Sequence, residues 1–212
     1  MEKKIILASQ SPRRSEILKN ANYYFVSFPT HVSEIPDKNL NVDQQIIDIA
    51  RRKARFCLLE ARDNGLGSMP SKPNIPNLSN DIILAADTMV CLQDQILGKP
   101  NDENMAFDFL KSLSGRTHQV KTAVYLIDVS SLEELSLIET TDVTFRTLTD
   151  QEIKDYIKTG EPMDKAGAYA IQGLGRSFVS SFTGDFNNVV GLPLHAIEKV
   201  FKIKSWTFTR LP

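Results

Sequence analysis

The pattern of apolar residues along the chain changes repeatedly between the period of a strand and that of a helix. From Lys4 to Ala8 the chain is mostly apolar, which predicts a short buried strand. Ser11 then places a helix N-cap directly before Pro12, which suits the first turn of a helix that ends near Asn20. The N-terminus is therefore predicted to form a strand–turn–helix unit.

A second helix is predicted over Asp43–Ala61. Its apolar residues fall on one helical stripe: Ile46, Ala50, Cys57, Leu58 and Ala61. Lys53 lies inside this stripe, three residues after Ala50 and four before Cys57. A lysine thus occupies a position where the pattern predicts a core residue.

The stretch Asp63–Asn80 has many Gly, Pro, Asn and Ser residues and no periodicity, so we predict a surface-loop insertion (63–80) within one domain. Asp81–Leu92 follows as a predicted strand that is apolar on both faces. Gln93–Gln95 is predicted to turn this strand back into Ile96-Leu97 as a hairpin.

The rest of the chain alternates in the same way. Helices are predicted over Asn101–Ser112, Thr149–Lys158 and Leu194–Phe201. Strands are predicted over His118–Val129, Leu135–Phe145, Ala168–Ile171, Ser177–Phe182 and Trp206–Thr209. This order indicates an α/β protein with a mixed sheet.

Composition narrows the class of protein. The chain has 212 residues, of which 42% are hydrophobic and 24% charged, as is typical of one globular domain. Cys57 and Cys91 are interpreted as small buried hydrophobes. There is no signal-peptide pattern and no apolar run near the roughly 20 residues of a membrane span, so we expect a cytoplasmic protein without membrane contact. The net charge of -1 argues against a nucleic-acid partner.

Two local patterns are candidates for chemistry. Ser9, Arg13 and Arg14 lie where the first strand gives way to a helix, and free amides and the helix dipole there favour an anion. Arginines on solvated helix faces remain the alternative interpretation.

Asp87 lies within a strongly apolar strand, and an unpaired buried carboxylate costs several kcal/mol. It is either half of a structural salt bridge or a strand cap, or it is a metal ligand or general base, with Lys53 and Lys99 as candidate partners.

Other signals are weaker when they are read singly. Glu34 and the run Asp164–Tyr169 have the residue types of surface charges and turns. His31, His118 and His195 lack paired spacing, which argues against zinc. The chain has no P-loop motif, and Gly173-Leu174-Gly175 lacks the third glycine of a dinucleotide fingerprint.

Six ordered blocks nevertheless resemble the Maf family of nucleotide pyrophosphatases. They are LASQSPRRSEIL, ARRKA, LAADTMV followed by ILGKP, LSGRTHQVKTAVYL, DKAGAYAIQGLG and GDFNNVVGLPL. The resemblance implies one two-lobed Maf-type domain over residues 1–212, with a mixed elongated sheet flanked by helices. It also implies a nucleotide in a central cleft, as in inosine-triphosphate pyrophosphatases, and a homodimer.

The resemblance also assigns roles. Ser9, Arg13, Arg14, Lys53 and Lys99 would bind the phosphates. Glu34 and Asp87 would hold a divalent cation, Mg²⁺ or Mn²⁺, and Asp87 would be the general base for water that attacks the α-phosphorus.

Three residues resemble the dTTP/UTP branch of that family: Arg13, Thr88 and Gln172. A glutamine amide matches uracil at N3–H and O4, but a flipped amide also matches cytosine, so Gln172 alone leaves the pyrimidine open.

Three other functions stay open at this point. The same cationic residues suit a phosphatase that releases orthophosphate by attack at the γ-phosphorus. A nucleotide-binding regulator of cell division or septum formation, without relevant turnover, is a non-enzymatic alternative. A nucleic-acid module is the weakest of the three, because the chain lacks a basic excess.

Overall fold

A computed structural model of the chain describes residues 2–63, 80–93 and 95–211, apart from the side chains of residues 62 and 63. The predicted loop insertion lies, for its residues 64–79, outside the described residues. Within the described ranges the helices are α1 (Pro12–Asn20), α2 (Val42–Asp63), α3 (Glu103–Leu113), α4 (Asp150–Ile157), α5 (Phe186–Val190) and α6 (Leu194–Ile203). The strands are β1 (Ile5–Leu7), β2 (Phe25–Ser27), β3 (Ile82–Leu92), β4 (Gln95–Leu97), β5 (Thr117–Asp128), β6 (Glu134–Phe145) and β7 (Val179–Thr183).

The strands form one mixed sheet. Their order is β2-β1-β3-β5-β6-β7, and β4 pairs with β3. β1 runs parallel to β2 and to β3, whereas β4 is antiparallel to β3 and β7 is antiparallel to β6. The α/β class with a mixed sheet and flanking helices is therefore confirmed.

The chain divides into two compact units, which are described separately. The first contains Met1–Asp87, Ala123–Ile138 and Leu194–Pro212, and the second contains Thr88–Thr122 and Glu139–Pro193. No described helix is both long enough and apolar enough to cross a membrane.

The core of the first unit follows the predicted periodicity. Ile5, Ile6 and Leu7 of β1 are fully buried, as expected for a strand with parallel neighbours on both sides. On α2, Ile46 and Ala50 of the predicted stripe are also fully buried. Because Lys53 shares that stripe, the helix that builds the core also carries a lysine into it.

The second unit contains an aromatic core around one histidine. His118 Nε2 lies 2.8 Å from the hydroxyl of Tyr169, and the rings of Phe145 and Tyr169 meet that of His118 edge-on. Burial lowers the pKa of His118 to about 4. This histidine is therefore a neutral core residue at neutral pH.

Three predicted strands need correction. The strand predicted over Ala168–Ile171 is wrong: Gly167 and Ala168 have φ of 68° and 59°, and this left-handed backbone turns the chain where an extended strand was expected to begin. The strand predicted from Ser177 begins at Val179, directly after another 3₁₀ segment, Leu174–Phe178. Instead of an edge strand over Trp206–Thr209, Phe208 makes an isolated bridge to Lys3.

Candidate active site

The turn between β1 and α1 is fixed by one serine hydroxyl. Ser9 is buried, and its Oγ accepts hydrogen bonds from the backbone amide of Ser11 and from Nη1 of Arg14, both at 3.1 Å. With both acceptor positions of a hydroxyl in use, its single proton is directed elsewhere. Ser9 is therefore a donor to any ligand at this turn.

The two arginines of the turn have different surroundings. Arg14 is buried, and burial lowers the pKa of its guanidinium, whereas Asp87 and Glu34 act in the opposite direction by attraction. Arg13 is partly exposed, and among the described residues its buried Nε has no hydrogen-bond partner. Arg14 is thus held within the protein, whereas Arg13 is partly exposed at the same turn.

Lys53 joins the two acidic residues. Its Nζ lies 2.7 Å from Oδ1 of Asp87 and 2.7 Å from Oε1 of Glu34. The lysine is only 5% exposed and Asp87 is 9% exposed, whereas the side chain of Glu34 is 49% exposed. Position 53 is buried because it lies on the apolar stripe of α2, so a compensating anion is required at its tip.

The sheet register explains why Asp87 lies beside the turn. Leu7 is paired with Leu84 in the parallel ladder, and the amide of Ala8 donates to the carbonyl of Leu84 at 2.8 Å. The residues that follow Leu7 therefore run beside those that follow Leu84. Ser9 on one strand end and Asp87 on the neighbouring strand are brought together by this pairing.

These contacts define one group of side chains in the first unit, which we call the Lys53 cluster: Ser9, Arg13, Arg14, Glu34, Lys53 and Asp87. It contains three cations and two carboxylates, so one positive charge is in excess. Six of the predicted site residues are thus found together, and the structure supplies the partner that the buried Asp87 required.

Arg52 is a member of this region that the sequence reasoning missed. Its Nη1 donates to the carbonyl of Ser33, its Nη2 donates to that of Ile35 at 3.1 Å, and its Nε donates to Asp48 at 3.0 Å. The two carbonyls belong to the residues on either side of Glu34. Arg52 therefore fixes the loop that carries this carboxylate. In the sequence, the only signal of this role was the position of Arg52 directly before Lys53.

The other predicted site residues, Thr88, Lys99 and Gln172, belong to the second unit. Thr88 Oγ1 lies 3.0 Å from Oγ1 of Thr122. Lys99 is exposed and follows Gly98, whose carbonyl accepts from the amide of Gly167 at 3.0 Å. Gln172 is exposed. The place of these three residues relative to the Lys53 cluster stays a prediction.

Glu161 supports the segment that follows Gln172, and sequence reasoning missed it as well. Its carboxylate accepts from the hydroxyl of Tyr156 at 2.7 Å and from the amides of Leu174 and Gly175 at 3.0 and 3.1 Å. A Cβ on Gly173 would lie only 2.4 Å from Oε2 of Glu161. Position 173 therefore requires glycine, because the carboxylate fills the space of any side chain.

The fold and the Lys53 cluster together define a class. This is an α/β protein that offers donors and an excess of positive charge at a strand–helix turn, with two carboxylates beside them. Such a site suits an anionic ligand that carries several oxygens, with a cation shared between ligand and protein.

Comparison with known proteins identifies the family. A family model described as Maf-like protein matches residues 4–203, and the chain belongs to this family. A protein of Bdellovibrio bacteriovorus is 48% identical over 202 residues, which cover 94% of this chain and 98% of the relative. A protein of Carboxydothermus hydrogenoformans is 40% identical over 205 residues, 97% of this chain and 100% of the relative. One of Escherichia coli O157:H7 is 43% identical over 190 residues, 90% of this chain and 87% of the relative.

Each of these three relatives is named a dTTP/UTP pyrophosphatase. Among solved structures, the chain is similar to the Ham1 protein of Staphylococcus aureus, with a TM-score of 0.42 and 12% identity over 68% of this chain and 72% of that chain.

Proposed function

We propose that this protein hydrolyses dTTP and UTP to the nucleoside monophosphate and pyrophosphate, with water attacking the α-phosphorus and Asp87 acting as general base. The observation that carries the proposal is the single lysine that joins Asp87 and Glu34 beside the turn of Ser9 and Arg14. The names of the three relatives support this choice of substrates.

Phosphate binding is assigned to the donors of the cluster. The hydroxyl of Ser9 and the partly exposed guanidinium of Arg13 are directional donors for phosphate oxygens. Arg14 and Lys53 are buried cations, and charge that develops on phosphate oxygens interacts with them at low local dielectric. Lys99 of the second unit is proposed as a further phosphate contact.

A divalent cation fits the same residues. Glu34 and Asp87 each place one carboxylate oxygen 2.7 Å from the same ammonium group, so both carboxylates already lie beside one position of positive charge. Carboxylates combined with substrate phosphate oxygens are the ligands typical of Mg²⁺, and they also suit Mn²⁺. When bound, the cation would neutralise negative charge on the phosphates. Glu34 and Asp87 are the residues that would hold it.

Asp87 is suited to take a proton from water. The bond to Lys53 uses Oδ1 of Asp87 and fixes the orientation of the carboxylate. A carboxylate fixed at one oxygen can orient and deprotonate a water held at the other. The proton goes to Asp87, the water oxygen bonds to the α-phosphorus, and the bond from that phosphorus to the bridging oxygen of pyrophosphate breaks.

Product identity tests this function. Purified protein with Mg²⁺ and UTP or dTTP is expected to release equal amounts of UMP or dTMP and pyrophosphate, measured by ion-exchange chromatography. Release of UDP and orthophosphate would instead establish attack at the γ-phosphorus. Nucleotide binding without products would favour a regulatory role.

The contacts of Arg52 lead to a further prediction. Arg52→Ala is expected to raise the Mg²⁺ concentration needed for half-maximal UTP hydrolysis by about tenfold, because two charge-assisted bonds that hold the Glu34 loop are lost. The measurement is the rate of UTP hydrolysis over a Mg²⁺ titration.

Arg51→Ala is the matched control. Arg51 neighbours Arg52 on α2 and pairs with the same Asp48, but it is exposed. Its removal is expected to leave the Mg²⁺ dependence unchanged. Equal shifts in the two variants would show that the loop bonds of Arg52 do not position Glu34.

A further inference from the structure

A buried polar network in the second unit surrounds Asn188, which is fully buried on α5. One Nδ2 hydrogen of Asn188 is donated to the carbonyl of Val120 and another to Oγ1 of Thr141, both at 2.9 Å. The hydroxyl of Thr141 in turn donates to the carbonyl of Asp185 at 2.9 Å. The amide orientation of Asn188 is thus fixed, since a backbone carbonyl accepts but never donates.

A chain of hydrogen bonds also runs from the backbone of Asn188 through Thr122 to Thr88, and we call it the relay. The hydroxyl of Thr122 donates to the backbone carbonyl of Asn188 at 2.9 Å. Thr122 is fully buried, and its Oγ1 lies 3.0 Å from that of Thr88. A hydroxyl has one proton, so the proton of Thr122 is already committed. The hydrogen of the Thr88–Thr122 bond must therefore come from Thr88.

The direction of this relay sets the chemistry of Thr88. Its own proton points to Thr122, so toward a ligand its oxygen presents only lone pairs. We propose that Thr122 is a positioning residue that makes Thr88 an obligate hydrogen-bond acceptor. The site then selects nucleobases with a ring N–H, such as uracil and thymine, against cytosine, whose N3 is itself an acceptor. This inference rests on the proposed function and takes Thr88, one of the three residues that resemble the dTTP/UTP branch, as a residue that contacts the base.

The relay supplies the discrimination that a glutamine lacks. The amide of Gln172 can rotate by 180° and present either a donor or an acceptor, so it matches uracil and cytosine alike. Thr88 has no such freedom while its hydroxyl proton is donated to Thr122. An acceptor that faces another acceptor in the bound complex loses a hydrogen bond and gains repulsion, which disfavours the wrong base by more than a missing contact would.

The test compares the dissociation constants of UTP and CTP, measured by titration calorimetry in EDTA so that turnover does not contribute. The unaltered protein is expected to bind UTP at least about tenfold more tightly than CTP. Thr122→Val keeps the side-chain shape but frees the proton of Thr88, which can then donate to cytosine N3. This variant is expected to lower the preference for UTP by about tenfold, mainly through tighter binding of CTP.

Two further variants distinguish a positioning role of Thr122 from a purely structural one. Thr122→Ser restores the hydroxyl and is expected to restore the preference. Thr141→Val disturbs the same Asn188 but leaves the relay to Thr88 intact, so it is expected to change thermal stability and not the preference.

An unchanged UTP:CTP ratio in Thr122→Val, an equal change in Thr141→Val, or equal or undetectable binding of both nucleotides to the unaltered protein would overturn the inference. Turnover of UTP with Mg²⁺, assayed separately, reports on the proposed function. Selective binding without turnover would contradict the proposed function and leave this inference standing.

Discussion

Asp87→Asn is expected to lower kcat for UTP by about a thousandfold, within the range that a general base contributes. Asparagine has nearly the same shape as aspartate, and its carbonyl oxygen can still accept from Lys53, which lies 2.7 Å from the native carboxylate. It cannot take a proton from water at neutral pH. The fold is therefore expected to survive while the chemical step is lost, as measured by single-turnover hydrolysis and circular dichroism.

Asp128→Asn provides the matched control for this variant. Asp128 is also a buried carboxylate of the first unit, and it is paired with Lys3 at 3.1 Å. Its substitution is expected to alter stability and to leave kcat within about twofold, since it lies outside the Lys53 cluster. If Asp87→Asn retained most of the turnover, Asp87 would be a structural partner of Lys53 and another group would have to be the base.

The second large effect is expected for Lys53→Met, which should lower the free energy of unfolding by about 3 kcal/mol and kcat by about a hundredfold. Methionine fits the apolar stripe of α2, so the loss comes from Asp87, which is 9% exposed and left without its closest cation. Glu34 is half exposed and is expected to contribute little to the unfolding effect. Urea unfolding and steady-state kinetics measure the two quantities.

The double variant Lys53→Met/Asp87→Asn isolates the buried charge. It is expected to recover most of the lost stability and none of the activity, because a neutral amide needs no counter-ion. Lys111→Met is the surface control: Lys111 pairs with Asp150 at 2.6 Å, but both side chains are more than half exposed, so the expected loss is below about 1 kcal/mol. Equal losses for Lys53 and Lys111 would contradict the buried-pair account.

The features that the sequence predicted correctly come from local patterns. Periodicity identified the helix that carries Lys53 and placed this lysine at a core position, where the structure buries it. The apolar run around Asp87 required a partner for its carboxylate, which Lys53 supplies. Both inferences need only the chain within one element and the cost of burying charge.

The features that it missed depend on contacts between distant segments. Arg52 acts on two backbone carbonyls nineteen and seventeen positions earlier, and Glu161 acts on amides thirteen and fourteen positions later. No composition or spacing rule records where a loop backbone passes. The strand predicted over Ala168–Ile171 failed for a related reason, since the left-handed φ of Ala168, a residue that rarely adopts it, cannot be inferred from an apolar pattern.

In the proposed reaction water attacks the α-phosphorus, so the fate of solvent oxygen reports which phosphorus is attacked. Hydrolysis of UTP in ¹⁸O-labelled water with Mg²⁺, followed by mass spectrometry of the products, is expected to place one labelled oxygen in UMP and none in pyrophosphate. Label in pyrophosphate would indicate attack at the β-phosphorus, and label in orthophosphate would indicate attack at the γ-phosphorus. Either result would contradict the account.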